Sequence, residues 1–443
     1  MAADLGLYLR RAHRTLTDGL YTTLTRTTLL LGRSLPLRRS GKLSRAVLGR
    51  LQAADRWIAW VRERREGTLI WVHAASVGET LAAVPVVARM QAAEPELCFI
   101  LSYSSPSAAE WVVPKLFEKA DYLPPDDPKI LNRIFSALRP AAILFSRGDL
   151  WPNLVKVSSL HEIPAIVVGG SVSPESLRLR QPAKSWLRRV YSRLDFVSAV
   201  SRPDASRFME LGVRPGRIAV TGDPRHDYTI ERPVRLDQVR PFVQWAAGDP
   251  VIVAGSTDAT DEQLVLKAFS LVSERRPGLK LVLVPHEPRR AREISPALSA
   301  SALWTGEPAI PAGARIVVVG KLGLLADLYL IAAVAHVGGG FKRSGVHSVV
   351  EPAAFGIPVT FGPNYGNSPD AEAMLQAGGA VSVPRPGSAA ELATRWLAWL
   401  EQPAAAVDAG RRNRKVLKQG SADISARAVL EIIRSRALHT LQR

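Results

Sequence analysis

At 443 residues, 47% hydrophobic and 22% charged, the chain is long enough for two or three globular domains and is neither disordered nor low-complexity. A single cysteine, Cys98, excludes an intramolecular disulfide and cysteine-based zinc or iron–sulfur sites, and fits a reducing compartment. The net charge of +18 points to an anionic partner: nucleic acid, an acidic membrane face or phosphorylated substrates.

That charge is concentrated at the start. Residues 1–66 hold 14 Lys and Arg against 5 Asp and Glu, half of the excess. No run reaches the about 18 uninterrupted apolar residues of a spanning helix, because Asp18, Arg26 and Arg33 interrupt the stretch from Leu16 to Leu37. Arg10, Arg11 and Arg14 lead into no secretory cleavage pattern. Leucines interleaved with arginines describe a basic amphipathic segment instead. It is suited to lying on an anionic leaflet, or to packing on a neighbouring domain with a solvated basic face. We take 1–66 as a membrane-associating segment.

From residue 68, short apolar runs alternate with amphipathic helical stretches. Strands are predicted at Thr68–His73, Cys98–Ser102, Ala141–Phe145, Ala165–Val168, Phe196–Val200 and Ile218–Thr221. Helices such as Glu79–Gln91, Ser107–Phe117, Pro128–Leu138 and Asp204–Leu211 fit between them, giving a parallel-sheet domain over 67–227. Residues 228–248, charged and holding Pro233 and Pro241, read as an interdomain linker or a helix beside one. A second series follows at Val251–Ala254, Leu279–Val284, Arg315–Val319, Ala335–Val337, Pro358–Phe361 and Ala380–Val383, within a domain at 249–422. An amphipathic helix over 423–443 ends the chain. The fold class is α/β: two doubly wound, Rossmann-like domains with a cleft between them, and ligands expected beyond the carboxyl ends of the strands. Neither a dinucleotide fingerprint nor a P-loop is present.

Five turns carry polar residues suited to chemistry. The first, His73 to Thr80, opens a helix directly after a strand, and Ser76-x-x-Glu79 reads as a capping box. The same Glu79 would stand at the cleft end of the first strand, where a carboxylate could act as general base on a hydroxyl. The second, Arg147-Gly148-Asp149-Leu150-Trp151-Pro152-Asn153, reads either as a helix start with a packed tryptophan or as a charged rim of the cleft. In the third, Gly222 to Asp227, Arg225 meets an anion or closes a surface turn. The fourth, Val284 to Arg290, offers His286 or Arg290 to an anion, or is a structural turn.

The fifth turn is the richest. Gly338, Gly339 and Gly340 permit close backbone approach to a ligand, and Lys342, Arg343 and helix-start amides suit a phosphate. His347 and Glu351, four apart, would share a helix face, with Glu351 suited to two ribose hydroxyls. No third ligand accompanies them, so no metal site is expected. A nucleotide-type donor on the second domain and a carboxylate base on the first make the logic of a two-domain glycosyltransferase.

In their order, these motifs resemble those of the 3-deoxy-D-manno-octulosonic acid (Kdo) transferase family, over roughly residues 5–435. Ser76-Val77-Gly78-Glu79 resembles the family's S-V-G-E. Tyr122 to Pro128, Leu150 to Asn153, Leu211-Gly212, Ser256-Thr257, Val284-Pro285, Gly338-Gly339, His347-x-x-x-Glu351 and Phe361-Gly362-Pro363 follow with similar spacing. The resemblance implies a GT-B fold and inverting transfer of Kdo from CMP-Kdo to a hydroxyl of a lipid A precursor, by a peripheral or monotopic protein at the cytoplasmic face of the inner membrane. It implies Glu79 as base, with Arg147 and Arg225 at catalytic positions, and Ser76, Gly78, Asp149, Trp151 and Arg178 toward the acceptor. Around the donor it implies Pro285, His286, Gly323, Leu324, Leu325, Gly339, Gly340, Ser344, Gly345, His347, Ser348 and Glu351. Partners are thus CMP-Kdo, a lipid A precursor and an anionic membrane surface, without nucleic acid, and the oligomeric state is left open. Neither metal nor other cofactor is required, since basic residues and amides can stabilise the departing phosphate.

The chain departs from the family pattern at several of these positions. Glu-Thr-Glu becomes Arg147-Gly148-Asp149, reversing a charge, and a Lys becomes Arg225. Asn-Ala-Arg-Leu-Ser becomes Gly169-Gly170-Ser171-Val172-Ser173, Arg-His becomes His286-Glu287, Gly-Glu-Leu becomes Gly323-Leu324-Leu325, and His-Asn becomes His347-Ser348. Compatible alternatives are transfer of another acidic sugar, a nucleotide-sugar epimerase of the same architecture, or a non-catalytic relative. Retention of Glu79 and of the His347/Glu351 turn favours the Kdo transferase.

Overall fold

The computed structural model describes residues 19–27, 42–64, 66–105, 108, 115–384 and 388–441. Arg10, Arg11, Arg14, Arg33 and most of the predicted helix Ser107–Phe117 lie outside the described residues. The chain divides into two compact units, one comprising the chain up to Tyr228 with Gln419–Arg443, the other Thr229–Lys418.

In the first unit the described strands form one parallel sheet: β1 (Thr68–His73), β2 (Leu97–Tyr103), β3 (Lys119–Tyr122), β4 (Ala142–Ser146), β5 (Ala165–Gly170), β6 (Phe196–Ala199) and β7 (Ile218–Val220). Their order is β3-β2-β1-β4-β5-β6-β7. The central strands are apolar on both sides, β2 being buried throughout, as a sheet covered by helices on both faces requires. One face packs on Trp57, Trp71, Phe135, Phe145 and Phe208, the other on Val86, Met90, Phe99, Val429 and Leu430.

Helix Lys42–Trp60 is therefore a layer of this unit, packed on its core through Ala53, Ala54, Trp57 and Trp60. Trp57 is fully buried, its indole N–H donating to the Tyr122 carbonyl (3.0 Å). Arg56 grips Asp121 through two contacts of 2.6 Å. Part of the basic excess thus serves internal ion pairs. The last helix, Ser421–Leu441, also belongs here: buried Asp227 accepts the N–H groups of Gly420 (2.6 Å) and Ala422 (2.8 Å) at its start.

The second unit repeats the plan with β8 (Val251–Thr257), β9 (Lys280–Pro285), β10 (Ser301–Trp304), β11 (Ile316–Val319), β12 (Ala332–Val337), β13 (Val359–Phe361) and β14 (Ala380–Ser382), in the order β10-β11-β9-β8-β12-β13-β14. Of the two readings of 228–248, the structure has the helix. Helix Leu236–Ala246 buries Val239, Phe242 and Trp245 in the core of this unit.

Each sheet reverses its winding once, between β1 and β4 and between β8 and β12. Loops leaving adjacent strands diverge at such a point and open a crevice at the carboxyl ends. In the first unit β1 leads into Ser76–Glu79 and β4 into Arg147–Asp149; in the second, β8 leads into Asp258 and β12 into Gly338–Gly340. Sheet topology therefore makes these turns the candidate site.

Candidate active site

After β1 the chain enters helix Val77–Ala93, whose Ser76 cap accepts the Glu79 N–H (3.4 Å). Glu79 reaches back in turn, its Oε2 accepting the Ala75 N–H at 2.5 Å. The Ser146 hydroxyl donates to the Glu79 carbonyl (2.6 Å), tying the end of β4 to this turn. Cap and cavity wall are thus one side chain in one conformation. Burial pushes the Glu79 carboxyl up, and the Asp149 charge adds to it, against the Ala75 N–H and His73, which pull the other way.

After β4, Arg147 adopts φ +65° and Gly148 φ +118°. For arginine this left-handed geometry costs about 1–2 kcal/mol. It is held by Arg147 N–H to Val168 O (3.0 Å) and Ser171 N–H to Arg147 O (3.1 Å). The turn aims Arg147 Nη1 at Asp223 Oδ2 (2.9 Å). Asp149 Oδ2 accepts the Trp151 indole N–H (3.1 Å) and lies 3.2 Å from His73 Nε2, whose other nitrogen is 2.9 Å from Ser102 Oγ. Burial alone would raise the Asp149 carboxyl. The His73 contact, the indole and the Arg178 charge outweigh it and hold the group below the usual range. Two neighbouring carboxyls are thereby driven apart, Glu79 up and Asp149 down, a pattern expected where one titrates in a reaction and the other stays charged.

Glu79, Arg147, Asp149 and Arg178 line one cavity of about 480 Å³ with Tyr21, Gly148, Leu150, Pro152, Ser171, Trp186, Leu187 and Tyr191. Arg178 is fixed by the Gly148 carbonyl (2.8 Å), Tyr191 Oη (3.1 Å) and Ser176 Oγ (3.1 Å). Ser76, Gly78, Trp151 and Arg225 are not among the lining residues. Ser76 serves the cap, Trp151 orients Asp149 with the Arg50 guanidinium 4.1 Å over its ring, and Arg225 holds Asp223.

In the second unit the His286 N–H donates to Thr257 O (2.9 Å), and its ring stacks on His347 with centroids 4.4 Å apart. Gly338 donates to Gly255 O (2.9 Å), and Gly339 to Asp261 Oδ2 (2.9 Å). Gly339 has φ +89°, and a β-carbon there would stand 2.8 Å from Gly345 O, so only glycine fits. His347 and Glu351 do not share a helix. The His347 N–H is taken by Gly338 O (3.0 Å), and the helix spans only Val350–Ala354. The Ser348 hydroxyl donates to the Glu351 carboxylate. Lys342, expected at a phosphate, pairs with Asp258 (3.2 Å). Leu324 is fully buried in the core, so its side chain forms no ligand surface, while Leu325 sits over Gly255. Burial pushes the His347 imidazole down, and the neighbouring His286 charge adds to that.

The family model described as 3-deoxy-D-manno-octulosonic-acid transferase (kdotransferase) matches residues 48–228. The chain is 30% identical over 322 residues to the 3-deoxy-D-manno-octulosonic acid transferase of Chlamydophila psittaci, covering 70% of this chain and 73% of that protein. To the enzyme of that name from Bordetella pertussis it is 30% identical over 349 residues, covering 74% and 79%. The chain belongs to the Kdo transferase family. The Haemophilus influenzae member is 28% identical over 316 residues, covering 69% of this chain and 73% of that one. Among solved structures, the UDP-GlcNAc 2-epimerase of Neisseria meningitidis has a TM-score of 0.59 at 13% identity, covering 82% of this chain and all of that one. A glycosyltransferase from Rickettsia africae has a TM-score of 0.55 at 14% identity, covering 84% and 99%. These two share the GT-B fold with it.

In this Kdo transferase family member the structure adds His73, Asp223, Asp261, Tyr21 and Trp186 to the candidate residues legible in the sequence. Asp261 carried a signal, since Asp258-x-x-Asp261 is a capping pattern, and both halves of that box form. Asp223 pairs locally with Arg225, but its second partner, Arg147, is 76 residues away and no local pattern signals it.

Proposed function

We propose that this chain transfers Kdo, with inversion, from CMP-Kdo to a hydroxyl of a lipid A precursor in lipopolysaccharide core biosynthesis. The observation that carries the reading is Glu79: a largely buried carboxylate at the switch point of the first sheet, on the wall of a cavity of about 480 Å³. Its raised proton affinity suits a general base. Glu79 takes the proton of the acceptor hydroxyl as that oxygen bonds to the anomeric carbon of Kdo. The bond from that carbon to the phosphate oxygen breaks, and CMP departs with the electron pair. Glu79 is left protonated and returns the proton to water.

Arg147 and Arg178 supply positive charge to acidic groups entering the cavity, and Asp149 keeps the His73 ring oriented. Arg225 acts through Asp223, whose carboxylate it shares with Arg147. The glycine loop Gly338–Gly340, the His286–His347 stack and Glu351 hold CMP, with close backbone approach to the phosphate and the carboxylate toward the ribose. Among the described residues no helix is long and apolar enough to cross a membrane. The basic excess supports adsorption of the chain to the anionic cytoplasmic leaflet of the inner membrane.

Donor discrimination tests the reading. Purified protein with a lipid A precursor should release CMP from CMP-Kdo and give a glycosylated lipid, and should leave UDP-sugars intact. Release of UDP instead, or hydrolysis of CMP-Kdo without lipid product, rejects it.

A further inference from the structure

Residues 19–27 form a helix, and its Tyr21 reaches the Glu79 cavity. Tyr21 lines that cavity, and its ring lies 5.1 Å from Trp186, another lining residue. Its hydroxyl donates to Asp126 Oδ2 (2.8 Å). Arg26 Nε donates to Asp127 Oδ2 (2.6 Å), and the Asn153 amide donates to Thr22 Oγ1 (3.3 Å). Asp126 is 1% exposed and accepts the N–H groups of Asn153 (3.0 Å) and Leu154 (2.8 Å). It therefore caps helix Pro152–Leu160 from a different loop, and that helix begins three residues after Asp149. Away from these contacts, Leu20 and Leu24 are exposed, as is Leu177.

We propose that helix 19–27 is a wall of the acceptor cavity and that Tyr21 determines acceptor binding. Its ring, with Trp186 and Leu187, gives an acyl-bearing sugar an apolar surface, and its hydroxyl locks that wall to Asp126. Basic charge and cavity wall are then two properties of one segment. Arg26 is spent on Asp127. The proposal rests on the reading of this cavity as the acceptor site.

The test uses the full chain, CMP-Kdo, and a lipid A precursor dispersed in detergent micelles, so that adsorption to vesicles does not enter KM. Tyr21→Ala should raise the acceptor KM about tenfold and change the donor KM by less than about twofold, and Tyr21→Phe, which keeps the ring, should raise the acceptor KM about threefold. A de-O-acylated acceptor should narrow the gap between wild type and Tyr21→Ala. An unchanged acceptor KM in Tyr21→Ala overturns the proposal. If the wild type shows no turnover, the proposed function fails, and amide exchange then tests the wall alone. Tyr21→Ala should speed exchange both in 19–27 and in 149–154, and unchanged exchange in 149–154 overturns it.

Discussion

Arg147, just after β4, and Asp223, just after β7, form a 2.9 Å ion pair with the carboxylate 3% exposed. Arg225 Nη2 holds the same oxygen at 2.7 Å. The arginine at 147, where the resemblance implies a glutamate, is thus matched by a buried acid. Arg147→Glu would bring a second carboxylate against Asp223 and should destabilise the fold by about 3–5 kcal/mol. Adding Asp223→Asn should recover much of that loss. Denaturant melts of the two single variants and the double variant measure the coupling, and purely additive effects would reject it.

Asp223 also links stability to acid. Burial works to raise its carboxyl, but Arg225 and Arg147 hold it well below the usual carboxylate range. The stabilisation is therefore complete above the pKa of an unfolded aspartate and is lost as pH falls below it. Melting temperature recorded across the acid range should fall less steeply for Asp223→Asn than for the wild type. Parallel curves would mean that other groups carry the acid sensitivity.

Glu79→Gln keeps an oxygen for the Ala75 N–H but cannot take a proton. Turnover should fall by about 10²–10⁴-fold with little change in melting temperature. Unchanged turnover would falsify the assignment of Glu79 as base.

The base has to be ionised, and burial with the Asp149 charge raises its carboxyl. The acid limb of kcat/KM should therefore lie above the ordinary glutamate range, with activity lost as pH falls through it. Asp149→Asn removes one of the two raising causes, so the limb should move to lower pH. A limb that stays in place assigns the titration to another group.

Gly339→Ala tests the donor loop. With φ +89° and Gly345 O 2.8 Å from the added carbon, the loop has to shift. The donor KM should rise about tenfold and the acceptor KM should hold. The reverse split would remove this loop from donor binding.

Much of the architecture is legible locally. Thr68–His73 and Pro128–Leu138 have the predicted bounds, and the other predicted strands appear within a few residues. The two strands that were not predicted, β3 and β10, are edge strands. Lys119–Tyr122 and Ser301–Trp304 are short and only partly buried, so neither presents an apolar run. In the site, Ser76 and Glu79 announce themselves through helix-capping chemistry that operates within four residues. The start of the helix at Pro152 is less legible for the complementary reason. The helix after it is capped not by nearby Asp149 but by Asp126, from another loop.

The sequence by itself determined that the chain is α/β, that it has two parallel-sheet domains, and that a carboxylate opens the first helix after the first strand. Those properties rest on periodicity and capping, which act over one or two turns of chain. Tertiary structure decided which turns share a cavity. Strand order brings β1 beside β4, so that Glu79 and Asp149 face one space. It also pairs Arg147 with Asp223, and Tyr21 with Asp126 across 105 residues. Such pairings depend on how strands are ordered and covered, and no local pattern encodes that. For the same reason the basic start, which composition alone assigns to an anionic surface, has Tyr21, Arg26 and Arg56 engaged with buried aspartates.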